Sequence, residues 1–256
     1  MGALVLALLF ASTAADDPDA LYREGLRLFT GGQPAAAIAS FRKAIELRPG
    51  DAATWKALGV VHAAQGDYVR AEEPFHRACL LNPKLPDACL YFGRALYLLD
   101  RFEPAVNVLR TALENDPRNA QIYRIEALAL EASGRADEAD AAFLQAMALD
   151  RDSPPNEDPA IDYGVFLYRA GRAEAALEPL RTAVQRHADA ARAQLELGCV
   201  LLALDQVEEA AAHLERATAL DPRGARGHLL LGKAYQRLGK GELARKELDQ
   251  GSRTAK

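Results

Sequence analysis

Cysteine occurs three times in 256 residues, too few for a disulfide framework to stand in for a core. Valine, isoleucine and threonine together number 22, against 52 alanines. Alanine fixes almost no side-chain entropy in a helix, whereas β-branched residues lose χ1 freedom there, so this balance excludes a β-sandwich or barrel. Basic charge is also short: 31 Lys and Arg face 36 Asp and Glu, for a net charge of −5. A dedicated nucleic-acid binder needs a basic footprint to displace counterions, and no nucleic-acid partner is expected. Apolar runs are short as well. The run from Ala3 to Phe10 cannot span a bilayer, which takes about 20 helical residues.

What is present starts with that run. Small residues follow it, Ala11 to Ala15, and then Asp16 and Asp17. The pattern fits a secretory signal peptide over residues 1–15, although its head carries no Lys or Arg. The expectation is export, to a periplasm or beyond the cell. The alternatives are an apolar tail or a misplaced start, which would leave the chain cytoplasmic. With half of its residues apolar and 26% charged, the rest of the chain can build a sizeable core.

The main signal is an internal repeat. A small residue recurs at Gly25, Gly59, Gly93, Ala127, Gly164, Gly198 and Gly232, at steps of 34 residues with one of 37. An alanine follows twelve residues later, from Ala37 to Ala244, and a large apolar residue four beyond that, from Phe41 to Leu248. Pro49, Pro83, Pro117 and Pro222 close four of the units. Within a unit the apolar steps are three and four, the helical period, and they break at pairs such as Gly66-Asp67. Each unit therefore reads as two helices joined by a turn. Neither helix can bury its stripe alone, so successive hairpins must stack.

Trp55-x2-Leu58-Gly59-x2-His62, then Ala71-x3-Phe75 and Pro83, resembles the tetratricopeptide repeat, with His62 where tyrosine is usual. The resemblance implies an all-α, right-handed superhelical solenoid of helix-turn-helix hairpins over residues 16–251. The units are 18–51, 52–85, 86–119, 120–153, 157–190, 191–224 and 225–251, with a flexible tail at 252–256. Pro154-Pro155-Asn156 is a three-residue insertion between the fourth and fifth.

No catalytic constellation accompanies the repeat. The five histidines lack metal-ligand spacing, and His62 and His228 lie on core stripes. Ser40, Ser133 and Ser153 have no base beside them in sequence. The chain reads as neither an enzyme nor a holder of metal or cofactor. Cys79 and Cys89 fall where stacked neighbours would meet, and an exported chain permits a bond. Free thiols are nevertheless the expectation, since cysteines pack as small buried hydrophobes.

Tetratricopeptide arrays line their concave surface from the first helix of each hairpin. The resemblance thus implies a partner-binding groove containing Tyr22, Lys56, Arg94, Tyr97, Arg124, Tyr168, Arg169, Lys233 and Arg237. Its mix of arginine forks and aromatic rings suits a peptide or protein segment carrying carboxylates beside apolar side chains. The expected function is a non-catalytic interaction scaffold. The alternative is an assembly factor of an envelope complex that uses its convex or edge surfaces. Oligomeric state and partner identity stay open.

Overall fold

The computed structural model describes residues 17–254; the signal-peptide segment lies outside them. Among these residues there are fourteen α-helices, one short 3₁₀ turn at Pro155–Glu157 and no strand. The chain divides into two compact units between Arg118 and Asn119. The first holds α1 (Pro18–Thr30), α2 (Pro34–Leu47), α3 (Ala52–Ala64), α4 (Tyr68–Leu81), α5 (Ala88–Leu98) and α6 (Phe102–Asn115). The second holds α7 (Ala120–Ala132), α8 (Ala136–Leu149), α9 (Pro159–Arg169), α10 (Ala173–Arg186), α11 (Ala191–Ala203), α12 (Val207–Leu220), α13 (Ala225–Arg237) and α14 (Gly241–Thr254). Odd helices pair with the even helix that follows, and within each unit the hairpins stack in chain order.

The repeated columns explain the hairpin. At Gly59 an added Cβ would stand 2.5 Å from the Phe75 ring, and at Gly93 it would stand 2.5 Å from Leu109. The small column is thus the seat of the large one. Phe41, Phe143, Leu109, Leu180 and Leu214 fill it with no exposure at all. Ala37, Ala71, Ala105, Ala139, Ala176 and Ala210, the second small column, are equally sealed. Pro74 and Pro179 sit buried inside α4 and α10.

Two expectations change. α14 continues through Thr254, so residues 252–254 are helix rather than tail. Cys79 and Cys89 are joined in a disulfide, and Cys199 alone is a free, buried thiol. The bond forms because the last turn of α4 and the first turn of α5 meet at the junction of neighbouring hairpins. That proximity outweighs the general tendency of cysteine to pack as a free hydrophobe.

Candidate functional site on the first-helix face

Each first helix presents four rows, best counted from its small-column residue. The row three residues before it contains Tyr22, Lys56 and Arg124, and the structure turns this row toward neighbouring side chains and the next hairpin. Tyr22 packs on the Phe41 core with ring centroids 5.9 Å apart. Lys56 donates from Nζ to the Pro86 carbonyl at 3.0 Å, in the loop before α5. Arg124 is buried, with Nε 2.7 Å from an Asp162 carboxylate oxygen on α9. Arg124 is therefore a junction residue rather than an open groove ligand, and Tyr22 and Lys56, both half-buried, are already engaged by neighbouring elements. Helical periodicity shows which residues share a face, but not how far the next hairpin leans over it.

The rows one, four and five residues after the small column stay accessible. Arg94 and Tyr97 on α5 are half-buried, with the Tyr97 ring 5.9 Å from Phe102. Tyr168 on α9 is half-buried, and its hydroxyl pKa is raised by the Cys199 sulfur beside it and by burial. Arg169 is exposed, 3.5 Å from Glu131. Arg237 donates to the Leu202 carbonyl at 2.7 Å and lies 3.4 Å from Asp205. With exposed Lys233, Gln236 and buried Leu202, it lines an open depression of about 410 Å³.

A second system on this face was not anticipated. Asp162 accepts from both Arg124 and Arg192 Nη2, the latter at 2.5 Å, so one carboxylate links α7, α9 and α11. Glu196 on α11 takes a bidentate pair of bonds from Arg226 on α13, at 2.5 and 2.9 Å. Glu196 raises the Arg226 pKa through that bond, while the same guanidinium lies 3.5 Å from the Cys199 sulfur. A signal for these rungs was present in the sequence. In both, an acid stands 30 residues before its arginine, at the same place in successive units. Most cations of the second unit's first-helix face are thus already neutralised from within, which lowers the cationic character expected of it.

The remaining polar chemistry is structural in form. His62 is buried with Nδ1 unpartnered, His213 meets Gln194 at 2.7 Å, and His228 bridges Glu247 and the Pro222 carbonyl. Among the described residues, no three His, Cys, Asp or Glu side chains gather as a metal site.

Known families match this architecture along the chain. Residues 22–87 and 62–129 fit profiles described as tetratricopeptide repeat. Residues 123–254, about half of the chain, fit the middle TPR-like domain of cilia and flagella-associated protein 70. The chain belongs to the tetratricopeptide repeat family. A TPR repeat-containing protein of Treponema pallidum is 26% identical over 226 residues, covering 87% of this chain and 25% of that protein. Photosystem I assembly protein Ycf3 of Rippkaea orientalis is 30% identical over 91 residues, 34% of this chain and 53% of that one. The chain therefore spans only about a quarter to a half of the curated relatives it matches. Among solved structures, a tetratricopeptide repeat protein from Parabacteroides merdae superposes with a TM-score of 0.71 at 14% identity, covering 93% of both chains. YrrB, described as a TPR protein with an unusual peptide-binding site, gives 0.56 at 22% identity, over 70% of this chain and 91% of its own. At such identities the likeness is one of fold.

Proposed function

We propose that this chain is a non-catalytic interaction scaffold of seven tandem hairpin units that holds a peptide or protein segment on its first-helix faces. The observation that carries the reading is the sorting of rows. Arg124 is buried in stacking and Tyr22 and Lys56 are engaged by neighbouring elements, while Arg169, Lys233 and Arg237 stand exposed beside half-buried Arg94, Tyr97 and Tyr168. Half-buried aromatic rings beside exposed cations suit apolar contacts flanked by carboxylates. The internal rungs leave fewer cations for a partner than the sequence suggests, which puts the charged contacts of the second unit chiefly on Arg169, Lys233 and Arg237. Ordering a flexible segment offsets much of the contact energy, which places binding at roughly micromolar strength.

Export accompanies this reading. The disulfide supports it, since such bonds persist in oxidising compartments and are rare in reducing ones. Segment 1–15 then serves as the signal peptide.

The test is capture of partners by residues 16–256, identified by mass spectrometry, and titration of the captured partner against Arg169→Ala/Lys233→Ala/Arg237→Ala. Weakened binding at unchanged melting temperature supports the face. Equal binding to parent and variant moves the function to other surfaces. The second helix α4 would then lead, because Val69 and Leu80 stand 72% and 62% exposed on it.

A further inference from the structure

The chain contains its own control for one local conformation. Pro18-Asp19-Ala20 begins seven residues before Gly25, and Pro86-Asp87-Ala88 begins seven residues before Gly93. The same tripeptide thus stands at the same place in two units. At the first, Pro18 opens α1, and the Asp17 carboxylate caps it by accepting from the Asp19 amide at 3.0 Å. At the second, Pro86 and Asp87 stay outside the helix, and α5 begins only at Ala88. Asp87 there has φ +62°, in the left-handed region, and makes no capping bond. Aspartate tolerates left-handed backbone better than most residues, yet Asp19 at the same place is helical, so the neighbourhood of Asp87 must decide between the two conformations.

Beside the ion pair that Asp19 makes with Arg48, two differences between the sites bear on where the helix starts. Leu85 stands where α1 has its capping Asp17, and leucine cannot cap. The other difference is covalent. Cys89, in the first turn of α5, is bonded to Cys79 in the last turn of α4. The loop so closed is gripped from a third element, because Lys56 on α3 donates to the Pro86 carbonyl.

We propose that the Cys79–Cys89 disulfide is a latch that keeps the first turn of α5 unwound, and that a dithiol reductant opens it. On opening, Pro86 and Asp87 wind onto α5 as Pro18 and Asp19 do on α1. The Pro86 carbonyl then turns into the helix and releases the Lys56 ammonium. A thiolate of the dithiol attacks the Cys79 sulfur, the more exposed of the two, and Cys89 leaves as a thiolate and takes a proton. The second thiol of the reductant then attacks the mixed disulfide and expels Cys79, which is protonated in turn. Two electrons and two protons pass to the protein, and the reductant ends as a disulfide. A cation freed beside Val60 matters to partners only if the first-helix face binds them, so that consequence rests on the proposed function. The latch itself does not.

The full chain is compared before and after treatment with dithiothreitol, with no partner present. Nuclear magnetic resonance reads the Asp87 backbone, and mass spectrometry follows acylation of Lys56 against Lys84, an exposed lysine of the same loop. Reduction is expected to move the Asp87 Cα shift and coupling to helical values. Lys56 acylation should rise roughly three- to tenfold, the ratio that losing one ordinary hydrogen bond corresponds to, with Lys84 unchanged. Cys79→Ala/Cys89→Ala should reproduce the reduced state without reductant. Three results would overturn the latch. Asp87 keeps its left-handed backbone and Lys56 its rate in both reduced and double-variant protein. Helical circular dichroism collapses on reduction, making the bond merely structural. Or Leu85→Asp winds α5 while the disulfide is intact, making the missing cap the cause.

Discussion

The junction between α4 and α5 and the junction between α8 and α9 both depart from the repeat, and they are secured by opposite chemistry. At the first, a covalent bond joins the two helices. At the second, polar side chains hold the residues on either side of the three-residue insertion. Gln121 donates to Ser153 Oγ at 2.7 Å and to the Glu157 carbonyl at 3.0 Å, and Arg186 donates to Asp150 at 2.7 Å. Asp158 caps α9 through the Ala160 amide at 2.8 Å, and Asp162 joins Arg124 to Arg192 one turn further on. The contrast extends through each unit. Among the described residues, the buried polar side chains of the first unit are Thr54 and His62, while those of the second include Arg124, Glu126, Asp150, Asp158, Asp162 and Glu196. A covalent junction tolerates salt and pH but answers to redox. A junction of buried charges resists reductant and depends on every partner staying in place.

Breaking the polar junction should have the largest effect. Arg124→Leu leaves Asp162 buried with Arg192 as its sole guanidinium partner. Removing one member of a buried pair costs about 3 kcal/mol or more, because the other charge stays desolvated. Arg124→Leu/Asp162→Leu removes both charges, and Arg192, more than a third exposed, can turn to water. The double variant should therefore lose much less stability than the single one in urea unfolding of the second unit. Equal losses would mean that the shape of the arginine, and not the stranded carboxylate, matters at this junction.

How legible these features were in the sequence depends on their range. The small column, the alanine column and the large apolar column are local patterns set by helix period and hairpin geometry. Gly59 against Phe75 could therefore be read directly from spacing. The outward rows were half legible, since Arg169 and Lys233 stand exposed while Tyr22 and Lys56 are half-buried against neighbouring elements and Arg124 is buried. What defeated the reading of those three is the lean of one hairpin on the next, a tertiary angle that no single helix encodes. The Cys79–Cys89 bond was missed for a related reason. The tendency of cysteine to pack as a free hydrophobe is an average over many sites, and at Cys79 and Cys89 the specific junction decides.

Acid reaches the first unit through its buried imidazole, His62. Burial lowers the His62 pKa below its ordinary 6.5, with Arg42 and Arg70 adding to that direction and Asp67 opposing it. The folded state then binds fewer protons than the unfolded one as pH falls below 6.5. His62 thus contributes its full share of stability above that value, and the share is lost on acidification toward the lowered folded pKa. His62→Tyr restores the residue usual at this place and removes the titration. Its melting temperature should fall less than that of the parent between pH 7 and pH 5. A residual slope should survive, because burial also lowers the pKa of His213 in the second unit. Parallel profiles for parent and variant would show that His62 is not the group that acid reaches.

The smallest expected effect tests what the two units share. All seven hairpin turns place one residue in the left-handed region, and in five it is glycine: Gly32, Gly66, Gly134, Gly171 and Gly239. The other two are Asp100 in the first unit, at φ +58°, and Asp205 in the second, at φ +62°. Aspartate tolerates this backbone better than most residues but still meets its own Cβ, whereas glycine at the end of a helix does not. Against that gain stands the extra freedom glycine brings to the unfolded chain, worth about 0.5–1 kcal/mol. The net for Asp100→Gly should be a stabilisation of only about 0.5 kcal/mol, given the 1–2 kcal/mol scale of the left-handed penalty. Asp205→Gly should gain less, because it also gives up the exposed 3.4 Å pair with Arg237. Both changes should behave alike with or without reductant, since the turns lie outside the α4–α5 junction, and Asp205→Gly should approach Asp100→Gly as salt screens the ion pair it gives up. If Asp100→Gly gained stability only in reduced protein, the turn and the α4–α5 junction would be coupled, and the covalent junction would reach one hairpin further than its contacts suggest.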